Sequence, residues 1–129
     1  MENCIFCKII NGEIPSYTIF EDDLIKIFLD INPSSNGHCL VIPKKHFLDI
    51  NDIDSEYLSH IFTVVKEMLP ILESKLNYDG ISLCQNNGFV QDVKHFHLHV
   101  IPKYKRNKKA NDIIIIFGLT TNFPKRKIF

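Results

Sequence analysis

No run of apolar residues approaches the eighteen or so that a membrane span needs, and the opening Met1-Glu2-Asn3-Cys4 carries neither a basic leader nor a long apolar stretch. No membrane partner is expected, and the expected location is cytoplasmic. Net charge is missing too: 15 Lys and Arg balance 15 Asp and Glu, which removes any global attraction to nucleic acid or to an anionic lipid surface. Partners must be argued from individual sites. Cysteines number only four, at positions 4, 7, 39 and 84, and in a cytosolic chain with a core of its own they point to thiols or metal ligands before disulfides. Repeats and low-complexity linkers are absent. What is present, 45% hydrophobic and 23% charged residues over a length of 129, suits one soluble globular domain with a real core.

The coarse pattern is α+β. Residues 4–10 form a short helix candidate, stopped by Asn11-Gly12 and Pro15. Residues 17–20 and 24–29 read as strands of a hairpin around the acidic turn Glu21-Asp22-Asp23, and residues 38–42 as a compact apolar strand closed by Pro43. From Asp54 or Ser55 to about Asn77, the residues Leu58, Ile61, Phe62, Val65, Met68, Leu69, Leu72 and Leu76 recur at steps of three and four, which predicts one long amphipathic helix. Asp54 is its candidate N-cap, Pro70 its expected kink and His60 a surface or packing residue. Residues 81–85 and 95–102 complete the strands. Helices and antiparallel strands fall in separate blocks, which favours α+β over a doubly wound α/β sheet.

The segment His95-Phe96-His97-Leu98-His99-Val100-Ile101 carries the chemistry. Alternate side chains of an extended chain point to opposite faces, so three imidazoles about 7 Å apart in series line one face while Phe96, Leu98 and Val100 bury the other. His38, at the entry of another strand, adds a fourth. Such an array suits either of two chemistries: a catalytic zinc or iron site with an open position, or a neutral imidazole that attacks phosphorus. Periodicity does not choose between them. The Cys4-x-x-Cys7 pair lacks a second pair at finger spacing and is weak as a metal motif by itself. Cys39 and Cys84 are expected to be buried thiols.

The segment His95 to Ile101 resembles the signature of the histidine triad (HIT) superfamily, and Gly37-His38-Cys39-Leu40-Val41-Ile42-Pro43-Lys44-Lys45-His46 resembles its other hallmark. Residues 4–15 and 28–33 extend the likeness to its Hint-like branch, over residues 3–104 of a single domain with a divergent tail at 105–129. The resemblance implies a HIT fold: an antiparallel sheet of about five strands with one long and one short helix, dimerising into a larger sheet. It implies a nucleotide hydrolase or nucleotidyl transferase attacking the α-phosphate of a purine nucleotide such as an AMP derivative. His97 would be the nucleophile forming a nucleotidyl-histidine, with His99 assisting the leaving group and His38 holding the array. A nucleoside 5′-phosphoramidate hydrolase leads. The alternatives are an asymmetric dinucleoside polyphosphate hydrolase, a non-catalytic nucleotide-binding module and a His-liganded metalloenzyme. Asp30 resembles the ribose-hydroxyl acceptor; Ile5, Phe6, Ile9, Phe28 and Ile31 the apolar base pocket; Asn86 and Gln91 the ribose and phosphate loop. In some relatives with the cysteine pair, zinc is held by positions matching Cys4, Cys7, His46 and His95, which implies structural zinc and no catalytic metal or organic cofactor.

Three departures stand out. The loop from Gly88 to Gln91 is shorter than the family's usual one, Asp92 stands where many relatives have a phosphate-contacting serine, and the tryptophan many relatives carry near the C-terminus is missing. A carboxylate at 92 repels phosphate unless it turns away, neutralises or binds a cation. In the tail, Lys103, Lys105, Arg106, Lys108 and Lys109 form a basic cluster, with Lys125, Arg126 and Lys127 beyond. A solvated face is the expected role, and nucleic acid is not an expected partner because Tyr104 alone offers stacking. Residues 113–117 are apolar enough to add a strand or pack on a partner chain.

Overall fold

The computed structural model describes residues 3–105. The apolar segment 113–117 and the basic residues beyond Lys105 lie outside them.

Five antiparallel strands form one sheet in the order β1-β2-β3-β5-β4: β1 (Thr18–Glu21), β2 (Ile25–Leu29), β3 (Cys39–Pro43), β4 (Gly80–Gln85) and β5 (Leu98–Lys103). Every residue of β2 and β3 is buried, because the sheet is covered on both faces. One face sends Ile25, Ile27, Val41, Phe96, Leu98 and Val100 into the main core with Ile61, Val65, Met68 and Leu72 of the long helix α2 (Ser55–Leu76). Phe28, Leu40 and Ile42 face the other way, against Cys4, Phe6 and Ile9 of the short helix α1 (Ile5–Ile10) and its cap. Adjacent residues of one strand thus serve different layers. Ile61, Met68 and Leu72 are fully inaccessible, and burial of each stabilises the fold by about 1.5–3 kcal/mol.

Several expectations shift. Val64 belongs to the buried stripe of α2, whereas Phe62, one helical step from Ile61, is 45% exposed. Asp54 sits at the N-cap with extended backbone but makes no capping bond through its side chain. Pro70 lies within α2 on its exposed side, where solvent can serve the carbonyl left unpaired. Asn77 ends the helix in the left-handed conformation at φ 55°, which asparagine tolerates better than most residues.

His60 is more than a surface residue. Its Nε2 lies 2.6 Å from Asp22 Oδ2, while Asp22 Oδ1 accepts the N–H groups of Leu24 and Ile25, both at 2.9 Å. One carboxylate closes the β1–β2 hairpin and ties it to α2. Burial works to raise the Asp22 pKa, but the bonds from His60 and the two backbone N–H groups outweigh it and the net shift is downward.

The histidine strand also starts later than the alternation predicts. Extending the β3–β5 register, in which Val41 faces Leu98, would bring Pro43 opposite Phe96. Proline has no N–H for the ladder, the Pro43 carbonyl is taken by the His95 imidazole, and the Phe96 N–H turns to the Phe47 carbonyl at 2.7 Å. His95 to His97 are therefore extended backbone ahead of the ladder. Cys84, expected to be buried, is exposed on the edge strand β4; Cys39 is fully buried in β3.

Candidate active site and metal centre

The side-to-side alternation survives the late start of β5. Phe96, Leu98 and Val100 enter the α2 core, while the rings of His95 and His97 meet the edge of Phe6 at centroid distances of 5.8 and 5.1 Å. Helix α1 thus lies over the histidines. Its own N-cap, Cys4, accepts the Cys7 N–H through Sγ, so the turn that starts the helix also brings both sulfurs to one place.

Those sulfurs meet two imidazoles. Cys4 Sγ and Cys7 Sγ lie 3.3 and 3.6 Å from His95 Nδ1, Cys7 Sγ lies 3.3 Å from His46 Nδ1, and the two Nδ1 atoms are 3.1 Å apart. All four donor atoms fall within 4.8 Å of one another. A tetrahedral zinc with bonds of about 2.0–2.3 Å needs ligand atoms roughly 3.3–3.8 Å apart; the four contacts above are close to that, and the donors fit such an ion once every pair within the 4.8 Å limit closes to that spacing. The group behind the ligand fits as well: His95 Nε2–H donates to the Pro43 carbonyl at 2.9 Å, which leaves Nδ1 with its lone pair toward the sulfurs. Burial, reinforced by Cys4, pushes the Cys7 thiol up to about 11, and burial pushes His95 down to about 4. The neutral imidazole is ready to ligate; the thiolate needs a cation beside it.

The second cluster is a hydrogen-bonded pair of imidazoles beside Asp30. Ser34 N–H donates to His38 Nδ1 at 3.0 Å, so the His38 proton resides on Nε2, which donates to His99 Nδ1 at 2.9 Å. His99 must then carry its own proton on Nε2. The turn that makes this possible includes Gly37 at φ +89°, where a Cβ would also collide with Leu76. Asp30 Oδ2 lies 3.6 Å from His38 Nε2, and Asp30 Oδ1 accepts the Asn32 N–H at 2.9 Å. Asp30, His38 and His99 are close enough to surround a cation, but ligation through His38 Nε2 would move its proton to Nδ1, against the Ser34 N–H. The Ser34 N–H therefore favours the hydrogen-bonded imidazole pair over a metal ion there.

His97 stands between the clusters. Its Nδ1–H donates to the His95 carbonyl at 2.7 Å, which fixes the ring and leaves Nε2 with its lone pair. Nε2 lies 3.3 Å from Asp92 Oδ1, and the His97 and His99 rings are 5.0 Å apart.

Burial lowers the pKa of both His38 and His99; their neighbours His99 and His97 add to it, and Asp30 opposes it. Both therefore fold as neutral rings, and protons bind the unfolded chain first as pH falls below its ordinary imidazole value near 6.5. Stability conferred by the neutral pair is present above that value and lost below it. The urea midpoint is expected to fall between pH 7 and 5, and to fall less in His38→Asn; a midpoint flat over that range contradicts the neutral pair.

The other expected site residues scatter. Phe6, Ile9 and Phe28 are buried with Leu40 and Ile42, Ile5 lines a surface cavity, and Ile31 is 76% exposed. Asn86 is half-buried beside Cys84. Gln91 turns inward: its amide accepts from Gly88 N–H and donates to the carbonyls of Leu48 and Val93. It shapes the loop rather than facing out of it. Neither the Ser34 contact nor the His60–Asp22 pair follows from periodicity, because each joins a side chain to a turn, and the only local signal is the turn before His38 that folds the chain back on that ring.

Comparison with known proteins places this geometry in a family. The HIT domain model matches residues 11–106. The chain is 46% identical over 121 residues to an uncharacterised HIT-like protein of Methanocaldococcus jannaschii, covering 92% of this chain and 90% of that one. It is 40% identical over 124 residues to an adenosine 5′-monophosphoramidase of Saccharomyces cerevisiae, covering 95% and 75%. A zinc-bound histidine triad family protein of Mycobacterium smegmatis superposes with a TM-score of 0.79 at 30% identity, covering 93% of this chain and 94% of that one. With the sheet order, the two helices and the histidine strand all accounted for, the chain belongs to the HIT family.

Proposed function

We propose that this protein is a nucleotide hydrolase that attacks the α-phosphate of a purine nucleotide through His97, and that its substrate is a nucleoside 5′-phosphoramidate. The observation that carries the reading is the division of ring protons: His97 Nδ1–H is held by the His95 carbonyl, which leaves Nε2 for phosphorus, while His99 holds an N–H beside it. Attack forms the Nε2–phosphorus bond and breaks the phosphorus–nitrogen bond, whose electron pair leaves on the amine. The leaving nitrogen takes a proton that solvent has first added to the His38–His99 pair, and His99 Nε2 hands it on, so that neither ring becomes an imidazolate. Water then opens the nucleotidyl-histidine and returns a proton to the His38–His99 pair, so each turnover consumes one water. The likeness to a named monophosphoramidase supports this substrate class.

Cys4, Cys7, His46 and His95 would hold zinc as a structural cross-link between α1 and the strand carrying His97. No step of the chemistry passes through it. The same reading makes the protein a cytoplasmic homodimer, for which β4, an edge strand with Leu83 and Cys84 exposed, offers a surface for joining two sheets; no helix among the described residues is long and apolar enough to cross a membrane.

Side-by-side turnover of adenosine 5′-phosphoramidate and a diadenosine polyphosphate tests the substrate class. Faster release of AMP from the phosphoramidate is expected. Faster cleavage of the polyphosphate overturns the phosphoramidate assignment in favour of the dinucleoside reading, and AMP binding with neither activity reduces the protein to a nucleotide-binding module.

A further inference from the structure

The carboxylate of Asp92 faces the atom that must attack phosphorus, at 3.3 Å from His97 Nε2, with its side chain 79% exposed. It also lines a cavity of about 490 Å³ shared with Asn3, Ile5, His46 and Lys94, a volume within the range of small-molecule sites. Among the described residues of that wall the ammonium is that of Lys94, and it is engaged: Nζ donates to the carbonyls of Gly88 and Gln91 at 2.8 and 3.3 Å. Asp92 accepts no comparable bond from Lys94 in this arrangement, and its negative charge stands at the junction of nucleophile and cavity.

We infer that Asp92 is a specificity residue that selects substrates by the charge of the leaving group, favouring an amine that carries a further positive charge over one that carries a negative charge. The inference rests on the hydrolase reading and extends it to the departing half of the substrate. With the departing group in that cavity, the Asp92 carboxylate attracts an ammonium and repels a carboxylate or phosphate, and because the side chain is exposed both effects are screened by salt. Because the side chain is exposed, it can rotate off Nε2 as phosphorus arrives without vacating the cavity mouth. The bonds made and broken are those already given, Nε2–phosphorus for phosphorus–nitrogen, and only the charge of the amine is new.

Two AMP phosphoramidates with identical phosphorus–nitrogen chemistry provide the test, one bearing a distal ammonium on a short alkyl chain and the other a distal carboxylate. Wild-type protein is expected to favour the cationic compound by about tenfold in kcat/KM. Asp92→Asn should bring the ratio close to one, Asp92→Glu should retain it, and added salt should shrink it in the wild type. Wild-type hydrolysis of both compounds at equal rates, or a ratio untouched by Asp92→Asn, overturns the proposal. Calorimetric binding of the same pair separates this inference from the hydrolase reading. Preference for the cationic compound without hydrolysis contradicts the hydrolase reading alone; equal affinity without hydrolysis contradicts both.

Discussion

Replacement of His97 by asparagine is expected to lower kcat for a nucleoside phosphoramidate by at least about 1,000-fold while leaving AMP binding and the fold in place. Asparagine can still donate an N–H to the His95 carbonyl, which in the wild type accepts from His97 Nδ1 at 2.7 Å, but it offers nothing at the place of Nε2. His97→Ala removes the nucleophile as well, and it also empties a site that is 2% exposed and packed against Phe6, so its thermal midpoint should fall further than that of His97→Asn. The pair of variants separates chemistry from packing. Equal loss of turnover with unequal loss of stability is the expected pattern, measured by steady-state kinetics and thermal unfolding; turnover undiminished in His97→Asn contradicts the assignment.

Removal of the proposed zinc site is expected to have the second large effect. The four ligands join the N-terminal turn, the segment after β3 and the start of the histidine strand, three stretches otherwise linked by packing and a few hydrogen bonds. Zinc at about one per chain is expected in protein purified from zinc-replete expression. The double variant Cys4→Ser, Cys7→Ser should lose it and unfold about 10 °C lower, the size expected when a cross-link worth about 3 kcal/mol is removed from a domain of this length. Activity should fall with it, because His95 presents its ring to the metal site and its carbonyl to His97 Nδ1. A wild-type chain without zinc, or a double variant equal to it in melting temperature, contradicts a structural role for the cluster.

Much of this was legible in the sequence because the residues involved obey short-range rules. The 3.6-residue period located α2, and the two-residue period separated the imidazoles from Phe96, Leu98 and Val100 before any sheet was drawn. The cysteine and histidine ligands were read from likeness to a family, and the geometry brings their donor atoms together. What escaped depends on contacts between distant segments. Pro43 cut the β3–β5 ladder short because of a register that no single strand reveals, and Cys84 is exposed because β4 is the sheet's edge. His60 looked idle until the hairpin turn brought Asp22 against it. In the sequence Asp92 is a misfit beside phosphate, but its distance to Nε2 is set only by the folded loop.

The central claim is that His97 becomes covalently nucleotidylated. Rapid mixing of the protein with adenosine 5′-phosphoramidate, a denaturing quench at alkaline pH to preserve the phosphorus–nitrogen bond, and mass spectrometry of the peptide containing residues 95–101 address it directly. The expected result is one adenylyl group on His97, formed and lost at rates that account for turnover. Full turnover with no adduct at any time point, or with the group on His99 instead, contradicts it.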